Sequence, residues 1–182
     1  MNTHQLETLV KAEHIAQHWL RTVADRLRTS DLSYAYRLLR AWMHAMRDQL
    51  PVKQSRRLAA ALPELLRGLY YEGWEPDGIP IKPDADSFIR HFAREARISV
   101  FEVWHGAPVV SAALHSLLAP GHLEQTFAAL PPQVRALVEP IGGLRPSLSG
   151  GPSRAGSHHE TEISAARALV VPRPRHPENP AP

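Results

Sequence analysis

Two imidazoles four residues apart, His14 and His18, share one face if the chain there is helical, the spacing at which two ring nitrogens can hold a divalent metal. Zinc needs two further ligands, and His91 with Glu95, or His115 with Glu124, are the pairs on offer. The same two histidines fall on a polar stripe with Arg21, Asp25 and Arg28, which a wetted helix face explains, so no metal and no cofactor is expected. A denser cluster follows. Arg37, Arg40, His44 and Arg47 recur at i, i+3, i+7 and i+10, and Lys53, Arg56 and Arg57 continue the charge into the next element. Guanidiniums in that register can grip phosphates through charge and paired hydrogen bonds, or simply keep a helix face wet, with Asp48 diluting the charge. Tyr70, Tyr71 and Trp74 form the third group. Their rings with polar tips suit an interface, a small-molecule cleft, or the seam where a connector packs. Glu72, Glu75 and Asp77 stand where they can meet Arg67 or the basic helix.

Much chemistry is excluded by what the chain lacks. It has no cysteine, which removes disulfide scaffolds, thiolate zinc sites and thiol nucleophiles and makes the reducing cytoplasm the expected compartment. There is no phosphate loop, no Gly-rich dinucleotide turn, no His-Glu-x-x-His and no Gly-x-Ser-x-Gly. His158-His159-Glu160 lies in a stretch where nothing would preorganise it. No catalytic residues are assigned, and the chain is read as non-enzymatic. The polar start Met1-Asn2-Thr3-His4-Gln5 is unlike a secretory signal, and the apolar stretch from Ala107 to Ala119 is too short and too interrupted to span a bilayer, so no membrane association is expected. The net charge is only +3, a weak overall field that does not by itself imply nucleic-acid binding.

The elements that must position these groups read as helices throughout. Ala16, Trp19, Leu20, Val23 and Leu27 make an apolar stripe at helical spacing, and Ser30 or Asp31 can cap the next helix, whose buried face is Ala35, Leu38, Leu39, Trp42, Met46 and Leu50. Pro51 and Pro63 each suit a first helical turn, and the fourth helix closes near Gly73. Further on, Asp86 is placed to cap Phe88 to Ala96, and Ser99 with Glu102 forms a capping box. Pro108 falls inside the next helix, where it should kink or split it; Pro120 and Pro131 start two short helices.

The chain also looks duplicated. Ala60-Ala61-Leu62-Pro63 and Ala128-Ala129-Leu130-Pro131 share an offset of 68 that also superposes Arg67 on Arg135 and Leu69 on Leu137. The expected organisation is an all-α fold of two pseudo-repeated four-helix halves packed into one helical domain: 1–11 extending the first helix, a first repeat 12–73, a connector 74–86 and a second repeat 87–140. From 141 to 182 there are 7 Pro, 5 Gly and no aromatic residue in 42 residues, a composition that predicts a disordered C-terminal tail. Within it, Glu160 to Val171 has partial helical periodicity. Leu39, Trp42, Met46, Leu62, Leu65, Phe92, Val110, Leu114 and Leu130 are the expected core.

The run Leu62-Pro63-Glu64-Leu65-Leu66-Arg67-Gly68-Leu69-Tyr70-Tyr71-Glu72-Gly73-Trp74, preceded by Met46-Arg47-Asp48-Gln49-Leu50-Pro51-Val52, resembles a bacterial family known as domain of unknown function 2267. The resemblance spans about residues 12 to 139 and implies a small all-helical cytoplasmic protein, with no activity and no catalytic residues to carry over. Together these readings point to a non-enzymatic interaction or scaffold module, in a bacterial stress setting, that engages a protein partner or a second copy of itself. The competing expectation is a binder of an anionic partner through the face from Arg37 to Arg57.

Overall fold

The structure, a computed structural model, describes residues 3–76 and 84–140. These form eight helices, with no strand among the described residues: α1 (Thr3–Leu27), α2 (Leu32–Gln49), α3 (Val52–Ala61), α4 (Glu64–Tyr71), α5 (Ala85–Ala96), α6 (Val100–Leu117), α7 (His122–Ala128) and α8 (Pro132–Val138). The expected all-α class is correct. They belong to one compact unit, Met1–Arg145. Connector residues 77–83 and the tail 141–182, including the Glu160 to Val171 segment, lie outside the described residues.

Local chemistry sets each boundary. The Asp31 carboxylate accepts from the Tyr34 amide at 3.0 Å and caps α2. At α6, Ser99 and Glu102 close the expected capping box, with the Ser99 amide donating to Glu102 Oε2 at 2.8 Å. The cap of α5 is Asp84 rather than Asp86: its carboxylate takes the Ser87 amide at 2.6 Å, so the helix starts at Ala85 and Asp86 joins the first turn, where its charge suits the helix dipole. Pro51, Pro63 and Pro131 each stand just before the helix they start, whereas Pro120 is displaced by Gly121, whose φ of 84° only glycine adopts without strain and which precedes α7.

Similar turn geometry occurs in the first four helices and in the last four. Arg28 and Arg97 both adopt left-handed backbone (φ 54° and 56°) and close α1 and α5, and the residue after each returns its amide to a carbonyl five positions back: Thr29 to Ala24 and Ile98 to Ala93. The Leu62 and Leu130 amides end α3 and α7 through bonds to the carbonyls of Ala59 and Phe127, and the backbone amides of Arg67 and Arg135 donate to the carbonyls of Pro63 and Pro131. The largest packings are α2 on α5 and α1 on α6, which exchange with each other when the first four helices are swapped for the last four. The two sets are therefore interleaved rather than stacked.

α2 and α6 meet at two points one turn apart. Leu38 fills the space over Gly106, where a Cβ would lie 3.0 Å from Leu38 Cδ2, and one turn on Trp42 Nε1 donates to Ser111 Oγ at 2.9 Å. A side chain at 106 would press on the end of Leu38, which would have to shift by a few tenths of an ångström. Pro108 does not split α6, which runs uninterrupted from Val100 to Leu117. A proline inside a helix costs about 3 kcal/mol. That cost is carried by burial of the surrounding segment, since Gly106, Ala107, Pro108, Val110 and Ser111 are all enclosed.

Eight of the nine expected core side chains are buried, among them Trp42, Met46, Phe92, Val110 and Leu114 at 0% exposure. Leu65 is the exception at 46%. α4 presents Leu66 and Tyr70 inward, one turn apart, and Leu65 falls about a quarter-turn away on the wetted side. The departure with most consequence is in α2: every residue from Ala41 to Leu50 is buried, including His44, Arg47, Asp48 and Gln49. A helix enclosed on all sides has no wet stripe, and its polar face must be satisfied by neighbours.

Candidate functional site

α2 turns Arg40, His44, Arg47 and Asp48 toward one side, at i, i+4, i+7 and i+8. α5 answers with Ser87, Arg90, His91 and Arg94, the face opposite buried Phe88, Phe92 and Ala96. The C-terminal end of α4, at Glu72 and Gly73, closes a third side. Between them lies a cleft of about 690 Å3 lined almost wholly by charged and polar side chains.

Two ion-pair networks build its walls. Arg40 donates from Nε and Nη2 to Glu72 Oε2 at 3.1 and 3.0 Å, and from Nη1 to Glu95 Oε1. Glu95 Oε1 also lies 3.0 Å from His44 Nδ1, while His44 Nε2 is 2.8 Å from the Leu69 carbonyl. Deeper in, Arg47 donates from Nε to Asp48 Oδ1 at 2.9 Å and from Nη1 to the carbonyls of Tyr70 and Glu72 at 2.6 and 2.9 Å. The second Asp48 oxygen is 3.4 Å from His91 Nδ1. Arg47 thus ties the end of α4 to α2, and with it the turn at Gly73, whose φ of 62° is a glycine conformation.

Both imidazoles are pushed below the ordinary histidine range. For His44 the main cause is desolvation by burial, reinforced by Arg47 and Arg40 and opposed by the Leu69 carbonyl and Asp48. For His91 burial again leads, opposed by Asp48 and reinforced by Arg94 and Arg47. The unfolded chain, with histidines near pH 6.5, therefore takes up protons more readily than the folded one. Their contribution to stability is complete above about pH 6.5 and is lost as the pH falls through the depressed folded values. Melting temperature should drop between about pH 7.5 and 5, and drop less in His91→Gln, which thermal melts across that range would measure.

The structure separates the residues of the expected basic face. Arg37 donates from Nε to the Ala96 carbonyl at 3.1 Å, satisfying the end of α5, and lies 5.7 Å from the centre of the Tyr34 ring. Arg40 and Arg47 are engaged as described. Arg56 and Arg57 are exposed on α3 and form no ion pair among the described residues. The face from Arg37 to Arg57 is therefore not one continuous solvent stripe. Glu72 does meet the basic helix, at Arg40, whereas Arg67 instead donates to the carbonyls of Ala59 and Leu62 and secures the end of α3.

The aromatic group divides as well. Tyr70 is wholly buried, its hydroxyl 2.8 Å from Ser55 Oγ, and burial pushes its ionisation far above the usual tyrosine range. Tyr71 sits edge-on to Tyr70 at 5.4 Å and 5.2 Å from Trp74, whose buried Nε1 has no hydrogen-bond partner among the described residues. The three rings form a packed seam at the start of the connector. His14 and His18 are exposed on α1; His115 and Glu124 pair with each other at 3.0 Å. No group of three or more possible metal-ligating side chains is found among the described residues.

Residues 16–137 match the family described as an uncharacterized conserved protein, DUF2267. The chain belongs to this family. No curated protein matches it. The matched span takes in α2, α4 and α5, and with them every residue lining the cleft of this DUF2267 protein. Sequence reasoning did not assign Asp48, Arg90 and Arg94 to a binding site, and it offered His91 with Glu95 only as a pair of metal ligands for His14 and His18. The signal for those on α5 was present, because Ser87, Arg90, His91 and Arg94 follow a helical stripe opposite the phenylalanines; what faces that stripe depends on the packing of α2.

Proposed function

We propose that this DUF2267 protein is a non-enzymatic interaction module that acts by self-association through one face of α6. The observation that carries this is a cluster of large apolar side chains in the first turns of that helix: Phe101 is 83% exposed, Trp104 58% and Val100 43%. Aromatic residues held in water in this way are characteristic of the centres of protein interfaces. Further along the same helix, His105, Pro108, Val109 and Ala112, with Arg26 and Pro140, line a depression of about 280 Å3. One face thus carries both projecting rings and an apolar recess. That is what a two-fold pairing requires, since each copy must supply the counterpart of what it presents.

The non-enzymatic part of the reading is supported by the cleft. Both ring nitrogens of His44 lie within hydrogen-bond distance of protein acceptors, Glu95 and the Leu69 carbonyl, which compete with any substrate for its proton. Ser87 forms no side-chain hydrogen bond to His91 that would activate its hydroxyl. No feature of the described residues bears on a stress setting.

Sedimentation at micromolar concentration tests the proposal. The unmodified chain should sediment as a dimer and Phe101→Asp as a monomer, with melting nearly unchanged because exposed positions shift stability by about 0.5 kcal/mol or less. A monomeric unmodified chain, or a dimer indifferent to Phe101→Asp combined with Trp104→Ala, would overturn it.

A further inference from the structure

The cleft between α2, α4 and α5 is also built for a ligand. Its carboxylates are already committed: Glu95 to Arg40 and His44, Asp48 to Arg47 and His91, Glu72 to Arg40. Two of its guanidiniums, Arg40 and Arg47, are spent on those acids and on carbonyls; the other two are not. Four arginines line the cleft against three acids, and Arg90 and Arg94 are exposed on its α5 wall with no ion pair among the described residues. The two are one helical turn apart, a spacing at which like charges repel, and they share the cleft with Arg40 and Arg47. With the internal pairs made, the strongest unfilled hydrogen-bonding capacity in the cleft is cationic.

We propose that this cleft binds a small phosphate-bearing molecule, with Arg90 and Arg94 gripping the phosphate. Each planar guanidinium offers a fork of donors that matches two phosphate oxygens, and a doubly charged group can be shared by two such forks where a single carboxylate serves only one. A volume of about 690 Å3 exceeds what one phosphate needs and lies within the range of clefts that take whole small molecules. Arg40, neutralised by Glu72 and Glu95, and the Arg47 network hold the floor of the cleft in shape, so the free positive charge is that of Arg90 and Arg94. The site differs from a basic stripe along α2 and α3: Arg56 and Arg57 take no part in it, and neither does the apolar face of α6.

Calorimetric titration of the full chain with inorganic phosphate, pyrophosphate and ATP tests the assignment, with citrate as the carboxylate control and a short DNA duplex as the polymeric one. Pyrophosphate or ATP should bind more tightly than citrate. Arg90→Gln and Arg94→Gln should each weaken that binding about tenfold, the effect of losing one charge-assisted contact. Both residues are exposed, so circular dichroism and melting should stay unchanged, and Arg56→Gln with Arg57→Gln should leave binding intact. Absence of binding by every phosphate probe, an equal loss in the Arg56 and Arg57 variant, or binding confined to the duplex would each overturn the proposal.

Discussion

Arg47→Gln should destabilise the protein by about 3 to 5 kcal/mol, the range seen when one partner of a buried ion pair is removed. Arg47 is 5% exposed and makes three contacts at once, to the Asp48 carboxylate and to the carbonyls of Tyr70 and Glu72. Glutamine is too short to reach all three and carries no charge. Asp48, itself 8% exposed, would keep only the 3.4 Å contact to His91, and two carbonyls at the end of α4 would lose their donor. Most of the loss comes from the aspartate left behind, so Arg47→Met combined with Asp48→Asn should recover a substantial part of it. Urea unfolding of the two single variants and the double variant measures the coupling. A loss under about 1 kcal/mol for Arg47→Gln would show that water reaches this network.

Trp42→Ala should cost a similar amount, about 3 to 5 kcal/mol, for a different physical reason. The indole is wholly enclosed where α2 meets α6, so removing it leaves a cavity between two helices. Trp42→Phe keeps most of the bulk but loses the hydrogen bond to Ser111 Oγ, and should cost less. The serine hydroxyl retains its own bond to the Ala107 carbonyl, so the polar loss alone is about 1 kcal/mol. Chemical denaturation of Trp42→Ala, Trp42→Phe and Ser111→Ala separates cavity from hydrogen bond. If Trp42→Phe proved as costly as Trp42→Ala, the hydrogen bond rather than the packed volume would be what holds α2 to α6.

The helices, their order and most of the core were legible in the sequence because they are set by short-range rules. Asp31 and the Ser99 and Glu102 pair announce helix starts through side chains that reach amides two or three residues away. Leu38, Leu39, Trp42 and Met46 announce a buried face through 3.6-residue spacing. The short-range signal failed where two capping candidates were nearly adjacent, Asp84 and Asp86, and where one step around a short helix turned Leu65 outward.

What only the tertiary structure decided is the fate of the charged residues. Arg37, Arg40, His44 and Arg47 have the spacing of a solvent stripe, and periodicity carries no information about whether a second helix covers the polar side of the first. In this fold α5 and the end of α4 cover it, bringing Glu95 and Glu72 to Arg40 and the Tyr70 carbonyl to Arg47 across 23 to 55 residues of chain. Arg90 and Arg94 belong to the same wall but have no such partner among the described residues. Periodicity along one helix shows which residues share a face; whether that face is wet, paired or lining a cleft is settled by the neighbour packed against it, and that neighbour comes from far along the chain.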